Sequence, residues 1–188
     1  SGHDLIDDVV LVDQSPIGKT TRSVPATYVG AFDAIRKLFV AHPEAIERGY
    51  TVGTFSFNSG KGRCPSCSGN GFEHMEMQFL SDVYLRCAEC DGTRYREEIL
   101  QIKVLPGTVE DGEPSTRETQ HAKSIADVLA LTVAEALQFF IAVPDVLRAL
   151  QPLADVGLAY VELGQAVPTL SGGEAQRLKL AGHLAESA

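Results

Sequence analysis

The sequence predicts an α+β protein, in which a four-cysteine zinc-knuckle hairpin module joins a helical part. Three observations carry this expectation. The four cysteines form two C-x-x-C pairs, Cys64/Cys67 and Cys87/Cys90, with 19 residues between the pairs. Short aromatic and β-branched segments surround those pairs, whereas capped amphipathic segments follow residue 122. Between the two regions lies PGTVEDGEPSTRETQH, a polar stretch poor in large apolar residues. The expected organisation is therefore 1–105 (strand, helices and cysteine module), 106–122 (flexible loop) and 123–188 (helical part).

The 188 residues allow one large domain or two small ones, and 44% hydrophobic content supports a packed core. No apolar run is long enough to span a membrane and no signal peptide is visible, so a cytoplasmic location is expected. The net charge of −9 argues at first sight against nucleic acid. Residues 1–63, however, balance seven basic against seven acidic residues, whereas residues 106–188 carry five against eleven. A basic face on the N-terminal part therefore stays open.

In chain order, Ile6 to Val12 is β-branched and reads as a strand. Asp13 to Thr27 is a loop. Its Gly18-Lys19-Thr20 ends like a P-loop, but Asp13 stands where the first glycine belongs, and Pro16 and Ile17 fit poorly in a nest of amides. A Walker A motif is rejected; Lys19 and Arg22 are either solvated loop cations or phosphate contacts. Thr27 to Ala41 is a helix, with Phe32, Ile35, Leu38 and Phe39 on one face and Arg36 and Lys37 exposed. His42-Pro43 ends it, and Pro43 opens a short second helix stopped by Gly49. Tyr50 to Asn58 alternates and reads as extended; Ser59 to Arg63 is a glycine-rich turn carrying Lys61 and Arg63.

Phe72 to Leu85 has the length of a hairpin. Met75, Met77, Phe79 and Leu80 form either an apolar tip or, on the preferred reading, a core face. His74 is read as a surface strand residue, since four sulfurs already complete a site. Tyr95 to Leu100 reads as a helical turn and Ile99 to Leu105 as extended. Ser124-x-x-Asp127 and Thr132-x-x-Glu135 are helix-start signatures for SIADVLA and TVAEALQFF. Pro144 opens PDVLRALQPLADVG, with Leu147, Leu150, Leu153 and Val156 as its apolar side; Pro152 is expected to kink or split it.

The cysteine spacing predicts one structural zinc ion. Each C-x-x-C turn lets two thiolates converge on an ion at about 2.3 Å, and two turns close a tetrahedron. The turns also repeat one another, as C-P-S-C-S-G-N-G and C-A-E-C-D-G-T-R, with Gly69 and Gly92 where the returning backbone needs positive φ. Two disulfides or a redox C-x-x-C are the rivals. The first belongs to oxidising compartments and small stapled chains, and the second comes singly in a βαβ context. A closed four-thiolate site has no open position, so catalysis at the metal is not expected.

Leu170 to Leu180 reads LSGGEAQRLKL. Ser171-x-x-Glu174 is a capping box, with Ser171 as N-cap and Gly172-Gly173 in the first turn; Leu178, Leu180 and Leu184 are expected to bury the other side. Such a helix start is either an ordinary cap or an anion site, because bare glycine amides and the helix dipole both favour negative charge.

LSGGEAQR resembles the signature motif of ATP-binding-cassette (ABC) ATPases. Together with GRCPSCSGNG, MQFLSDVYLRCAECDGTRY, VDQSPIGKTTRSVPATYVGAFDAIRKLF and SIADVLALTVAEALQFF, the likeness narrows. From about Val10 to its end the chain is similar to the UvrA family, the damage-sensing ATPases of the bacterial nucleotide-excision-repair excinuclease. The resemblance implies an ABC-type signature domain from the second of two ATPase modules, lying between its Walker A and Walker B motifs. Such a segment is not expected to hydrolyse ATP alone. Ser171, Gly172, Gly173, Glu174, Gln176 and Arg177 would act in trans on ATP and Mg2+ held by the opposite module, Ser171 and Gly173 donating hydrogen bonds to the γ-phosphate.

The resemblance also implies a DNA-facing surface, with Lys19, Arg22, Arg36, Lys61 and Arg63 as candidate phosphate contacts. The implied partners are damaged double-stranded DNA, the other ATPase module, a second protomer and a UvrB-like protein, in DNA repair and the SOS response. Residues 106–122 depart from the family pattern and read as an insertion, leaving both a general repair protein and a drug-tolerance paralogue open. The rival class is a structural or protein-interaction zinc module without DNA affinity. No carboxylate cluster, H-E-x-x-H or nucleophile constellation supports a free-standing nuclease or hydrolase.

Overall fold

A computed structural model describes residues 17–18, 20–75, 83–105 and 121–187. Three helices, α1 (Pro25–Tyr28), α2 (Ala31–Ala41) and α3 (Pro43–Glu47), precede the cysteine module. Strands β1 (Phe72–Met75) and β2 (Val83–Arg86) pair antiparallel between the cysteine pairs, with Phe72 opposite Arg86 and Met75 opposite Val83. Next come α4 (Glu97–Leu100) and β3 (Lys103–Val104), which ladders antiparallel with β4 (Lys123–Ser124). The chain continues through α5 (Ile125–Leu129), α6 (Val133–Phe139), α7 (Pro144–Asp155), a 3-10 turn (Val167–Thr169) and α8 (Gly172–Ser187). No helix among the described residues is long and apolar enough to cross a membrane.

One hydrophobic cluster runs through both halves of the chain. Phe32, Ile35 and Phe39 of α2 share it with Phe55, Phe57, Ile125, Leu150, Leu153 and Leu178. Helix α2 packs on α7, and α7 on α8. The boundary expected at 106–122 therefore does not divide the core, and the β3–β4 ladder joins its two flanks. Residues 106–120 themselves lie outside the described residues, as do the strand expected at Ile6 to Val12, Lys19, Met77, Phe79 and Leu80.

Local sequence sets most helix ends. Ser124 Oγ accepts the Asp127 amide and Asp127 returns the bond; Thr132 and Glu135 do the same one helix later. Four expectations are corrected. The helix drawn over Thr27 to Ala41 is two helices, because Gly30 adopts φ 76° and breaks the ladder. Tyr50 to Asn58 is a run of turns, with Thr51 and Gly53 carbonyls taking the amides of Thr54 and Ser56. Its alternation reflects the burial of Phe55 and Phe57, which meet Phe39 and Phe32 at 5.4 and 5.2 Å. Ile99 and Leu100 are helical, leaving only Lys103–Val104 extended. Pro152 does not split α7, which runs on to Asp155. The proline costs one backbone bond in the last turns of the helix, and its ring is buried. In that helix Val146 is buried with Leu150 and Leu153, whereas Leu147 and Val156 are half-buried.

Leu150 of α7 is fully buried in the core, so Leu150→Ala should lower the unfolding free energy by about 2–5 kcal/mol. Ile141 is 73% exposed, and Ile141→Ala should stay within about 0.5 kcal/mol of wild type. Urea unfolding of both variants checks the pair.

Candidate metal centre and signature helix

The structure brings Cys64, Cys67, Cys87 and Cys90 together. All four are buried, and their sulfurs lie within 4.8 Å of one another. Cys64 Sγ is 4.0 Å from Cys87 Sγ, and Cys67 Sγ is 3.7 Å from Cys90 Sγ. Four thiolates at 2.3 Å from one zinc ion would stand about 3.8 Å apart, whereas a disulfide needs about 2.05 Å. The cage therefore has the size of a tetrahedral metal site and excludes two disulfides. Burial pushes the Cys90 thiol up to about 12, while backbone N–H groups led by that of Cys90 pull Cys87 down to about 7. Four sulfurs this close cannot all ionise without a cation among them.

The two knuckles are copies of each other, offset by 23 residues, down to their hydrogen bonds. The Cys64 amide donates to the Arg94 carbonyl at 2.9 Å, and the Cys87 amide donates to the Gly71 carbonyl at 3.0 Å. In each copy the first, second and fourth residues after the last cysteine are left-handed: Ser68, Gly69 and Gly71, then Asp91, Gly92 and Arg94. Glycine is needed most at Gly69, where a Cβ would sit 2.0 Å from the Phe57 carbonyl oxygen. The Gly71 amide donates to Cys67 Sγ at 3.2 Å, stabilising a thiolate there.

At the other end of the sequence, the Ser171 amide donates to Glu174 Oε2 at 2.7 Å, and the Glu174 amide donates to Ser171 Oγ at 3.4 Å. This is the expected capping box. Sequence reasoning missed its support. Tyr160 donates its hydroxyl to Glu174 Oε1 at 2.6 Å, and Arg177 bridges the Tyr160 oxygen and the Gly157 carbonyl at 3.3 and 3.0 Å. The bond from Tyr160, with that from the Ser171 amide, holds the Glu174 carboxyl below its usual range, and the same Tyr160–Glu174 bond raises the Tyr160 phenol. Ser171, Gly172 and Gly173 are exposed, and Gln176 is half-buried. A side chain at either glycine would meet nothing within 4 Å. Leu178 and Ala181 are buried, but Leu180 and Leu184 are 38% and 44% exposed, correcting the expected apolar side. The reason is angular: positions 178 and 181 share one helix face, and 180 and 184 another.

No family model matches the chain. Curated proteins do. The chain is 51% identical over 187 residues to UvrABC system protein A of Thermus thermophilus, and 53% identical over 183 residues to that of Streptomyces avermitilis. These matches cover 100% and 97% of the chain but only 18% and 17% of the relatives. The crystal structure of UvrA2 from Deinococcus radiodurans matches with a TM-score of 0.80 and 50% identity, over 94% of this chain and 20% of that one. The chain belongs to the UvrA family. It spans less than a fifth of the length of the two UvrABC system A proteins.

Within this segment most of the described candidate DNA contacts have partners inside the chain. Arg22 donates Nε to Asn70 at 2.9 Å, and Arg63 donates to the Asn58 carbonyl at 3.1 Å; both are half-buried. Lys61 is exposed. The expected exposure of Arg36 is corrected, since only 17% of its side chain is open to solvent. It pairs with Asp33, donates to the Val52 carbonyl and lies over the Phe32 ring, because the aromatic turn segment folds back across α2. In the hairpin, Met75 is 49% exposed and lies opposite Val83, so the core reading fails at Met75. Two short strands offer no second layer to cover that face. His74 lies in β1.

Cys64→Ser removes one of four buried donors. It should release the bound metal and lower the melting temperature of the chain by at least about 4 °C, equivalent to roughly 1 kcal/mol or more. Treating the wild type with a strong chelator should give the same shift. Metal analysis beside a thermal scan checks both; an unchanged melting temperature after complete metal loss would exclude a structural role.

Proposed function

We propose that this chain is the signature-domain segment of a UvrA-like ATPase that recognises damaged DNA in nucleotide excision repair. The carrying observation is the 51–53% identity to UvrABC system protein A along nearly the whole chain. The cage suits zinc by donor type and size, and Cys64, Cys67, Cys87 and Cys90 would hold it. When bound, the ion supplies no chemistry beyond cross-linking the knuckles. Its work is to fix both feet of the β1–β2 hairpin.

The signature helix would complete an ATP site built largely elsewhere. Gly172 and Gly173 have neither positive φ nor a crowding neighbour, so nothing inside the chain requires glycine at either place. Bare amides at an exposed, capped start of a 16-residue helix suit a phosphate brought up from outside, with Ser171 Oγ and the Gly173 amide as donors. Glu174 and Arg177, tied through Tyr160, set the orientation of that turn. ATP and Mg2+ would come with the opposite ATPase module, in a cytoplasmic assembly with a second protomer and a UvrB-like partner.

Duplex DNA would lie against the cysteine module and its flanks, with Lys19, Arg22, Lys61 and Arg63 reaching phosphates. A second reading, a structural module without DNA affinity of its own, is favoured by one observation. Arg22, Arg36 and Arg63 all spend donors within the chain, and the net charge is −9.

Two measurements separate the readings. Binding of the zinc-loaded chain to short duplexes, with and without a bulky lesion, should weaken with salt at a log–log slope of about −0.9 per phosphate contacted, and Lys61→Ala should shallow it by about one contact. Absence of binding at low salt would favour the structural module. In the full-length ATPase, Ser171→Ala should leave folding intact and cut ATP turnover at least about tenfold, as loss of one charge-assisted hydrogen bond requires. Normal turnover would remove the phosphate role.

A further inference from the structure

The metal reading of the cysteines leaves one buried group to be explained. Arg94 is 4% exposed. Its Nη1 donates to the carbonyls of Thr21 at 2.9 Å and Gly69 at 3.5 Å, and its Nη2 to that of Gly164 at 3.2 Å. The guanidinium also lies over the Phe57 ring, 5.1 Å from its centroid. These partners are neutral. Among the described residues no carboxylate pairs with Arg94. Carbonyls and an aromatic face satisfy its donors but do not cancel its charge, and arginine is almost never fully buried unless paired.

Negative charge is available from the cage. Arg94 belongs to the frame of the cage, since its carbonyl accepts the Cys64 amide at 2.9 Å and its Nη1 reaches the carbonyl of Gly69, two residues after Cys67. Four thiolates around one divalent ion carry a net charge of about −2. The knuckle repeat makes the placement specific. Arg94 stands where the other copy has Gly71, and both residues are left-handed. Glycine would suit that backbone better, so the side chain has to offset the strain.

We propose that Arg94 is the counter-charge of the metal centre, and that its fork ties metal loading to the docking of the Thr21 loop and the Gly164 segment against the knuckles. Arginine suits the role because one planar fork reaches three carbonyls while staying charged. The inference rests on the metal reading above and extends it to a residue that donates no ligand atom.

The test is zinc affinity of the full chain, by competition with a chromophoric chelator, for wild type, Arg94→Met and Arg94→Lys, with circular dichroism to confirm folding. Arg94→Met should bind zinc at least about tenfold more weakly, the effect expected for an outer-shell partner. Arg94→Lys keeps the charge but loses the fork, so it should stay within about threefold of wild type in zinc affinity while loosening the contacts to the Thr21 and Gly164 carbonyls. Equal affinity in a folded Arg94→Met variant would overturn the proposal, and so would a lysine variant as weak as the methionine one. Should Arg94→Met not fold, the lysine variant decides by the same threefold limit. Amide exchange at Ala26 and Gly164, which donate to Leu163 and Leu129, should quicken when wild-type zinc is chelated; unchanged exchange would overturn the coupling. A wild-type chain that binds no zinc would remove the metal reading itself, and the counter-charge with it.

Discussion

The convergence of four sulfurs is the constraint on which this part of the fold depends. Bringing Cys64 and Cys67 against Cys87 and Cys90 fixes both ends of the hairpin between them. Each knuckle then closes on the other: the first cysteine of one donates its amide to the last residue of the other's turn. Across the two turns six residues take left-handed conformations, three of them not glycine. A hairpin of two four-residue strands would have little stability alone, and the cage supplies the anchor it lacks.

From the cage, order spreads by polar contacts rather than by a separate core. Arg94 reaches the Thr21 loop on one side and Gly164 on the other, while Tyr95 buries its hydroxyl against the Phe55 carbonyl at 2.8 Å. Behind them one aromatic and aliphatic core links α2 to α7 and α8. The signature helix is therefore held by its buried side, through Leu178 and Ala181, and presents its capped start to solvent. The capped start of α8 and the hairpin anchored by the four cysteines are thus features of one packed body, which gives the proposed coupling of DNA to ATP a physical route.

Much of this is legible in the chain. The C-x-x-C spacing points to the cage and the hairpin, because ligand geometry is a local demand written in few residues. The capping boxes at Ser124, Thr132 and Ser171 mark three helix starts, since each is a reciprocal bond over three residues. The failures have a common cause. Expectations for Arg36 and Leu180 rest on helical periodicity and that for Met75 on its apolar character, yet their exposure depends on which distant segment covers them. Tyr160 leaves no signal at all, because its partners lie 14 and 17 residues away on another element.

Residue type at short spacing is enough to specify the four-cysteine cluster, the helix caps and the family. The knuckle repeat in which Arg94 replaces Gly71 is also written in the chain. What that arginine does, which cations remain free and where the core runs are settled only when the chain is folded. Those outcomes depend on contacts between residues far apart in sequence, such as Arg94 with Thr21, 73 residues away, and long-range contacts of that kind have no local pattern to be read.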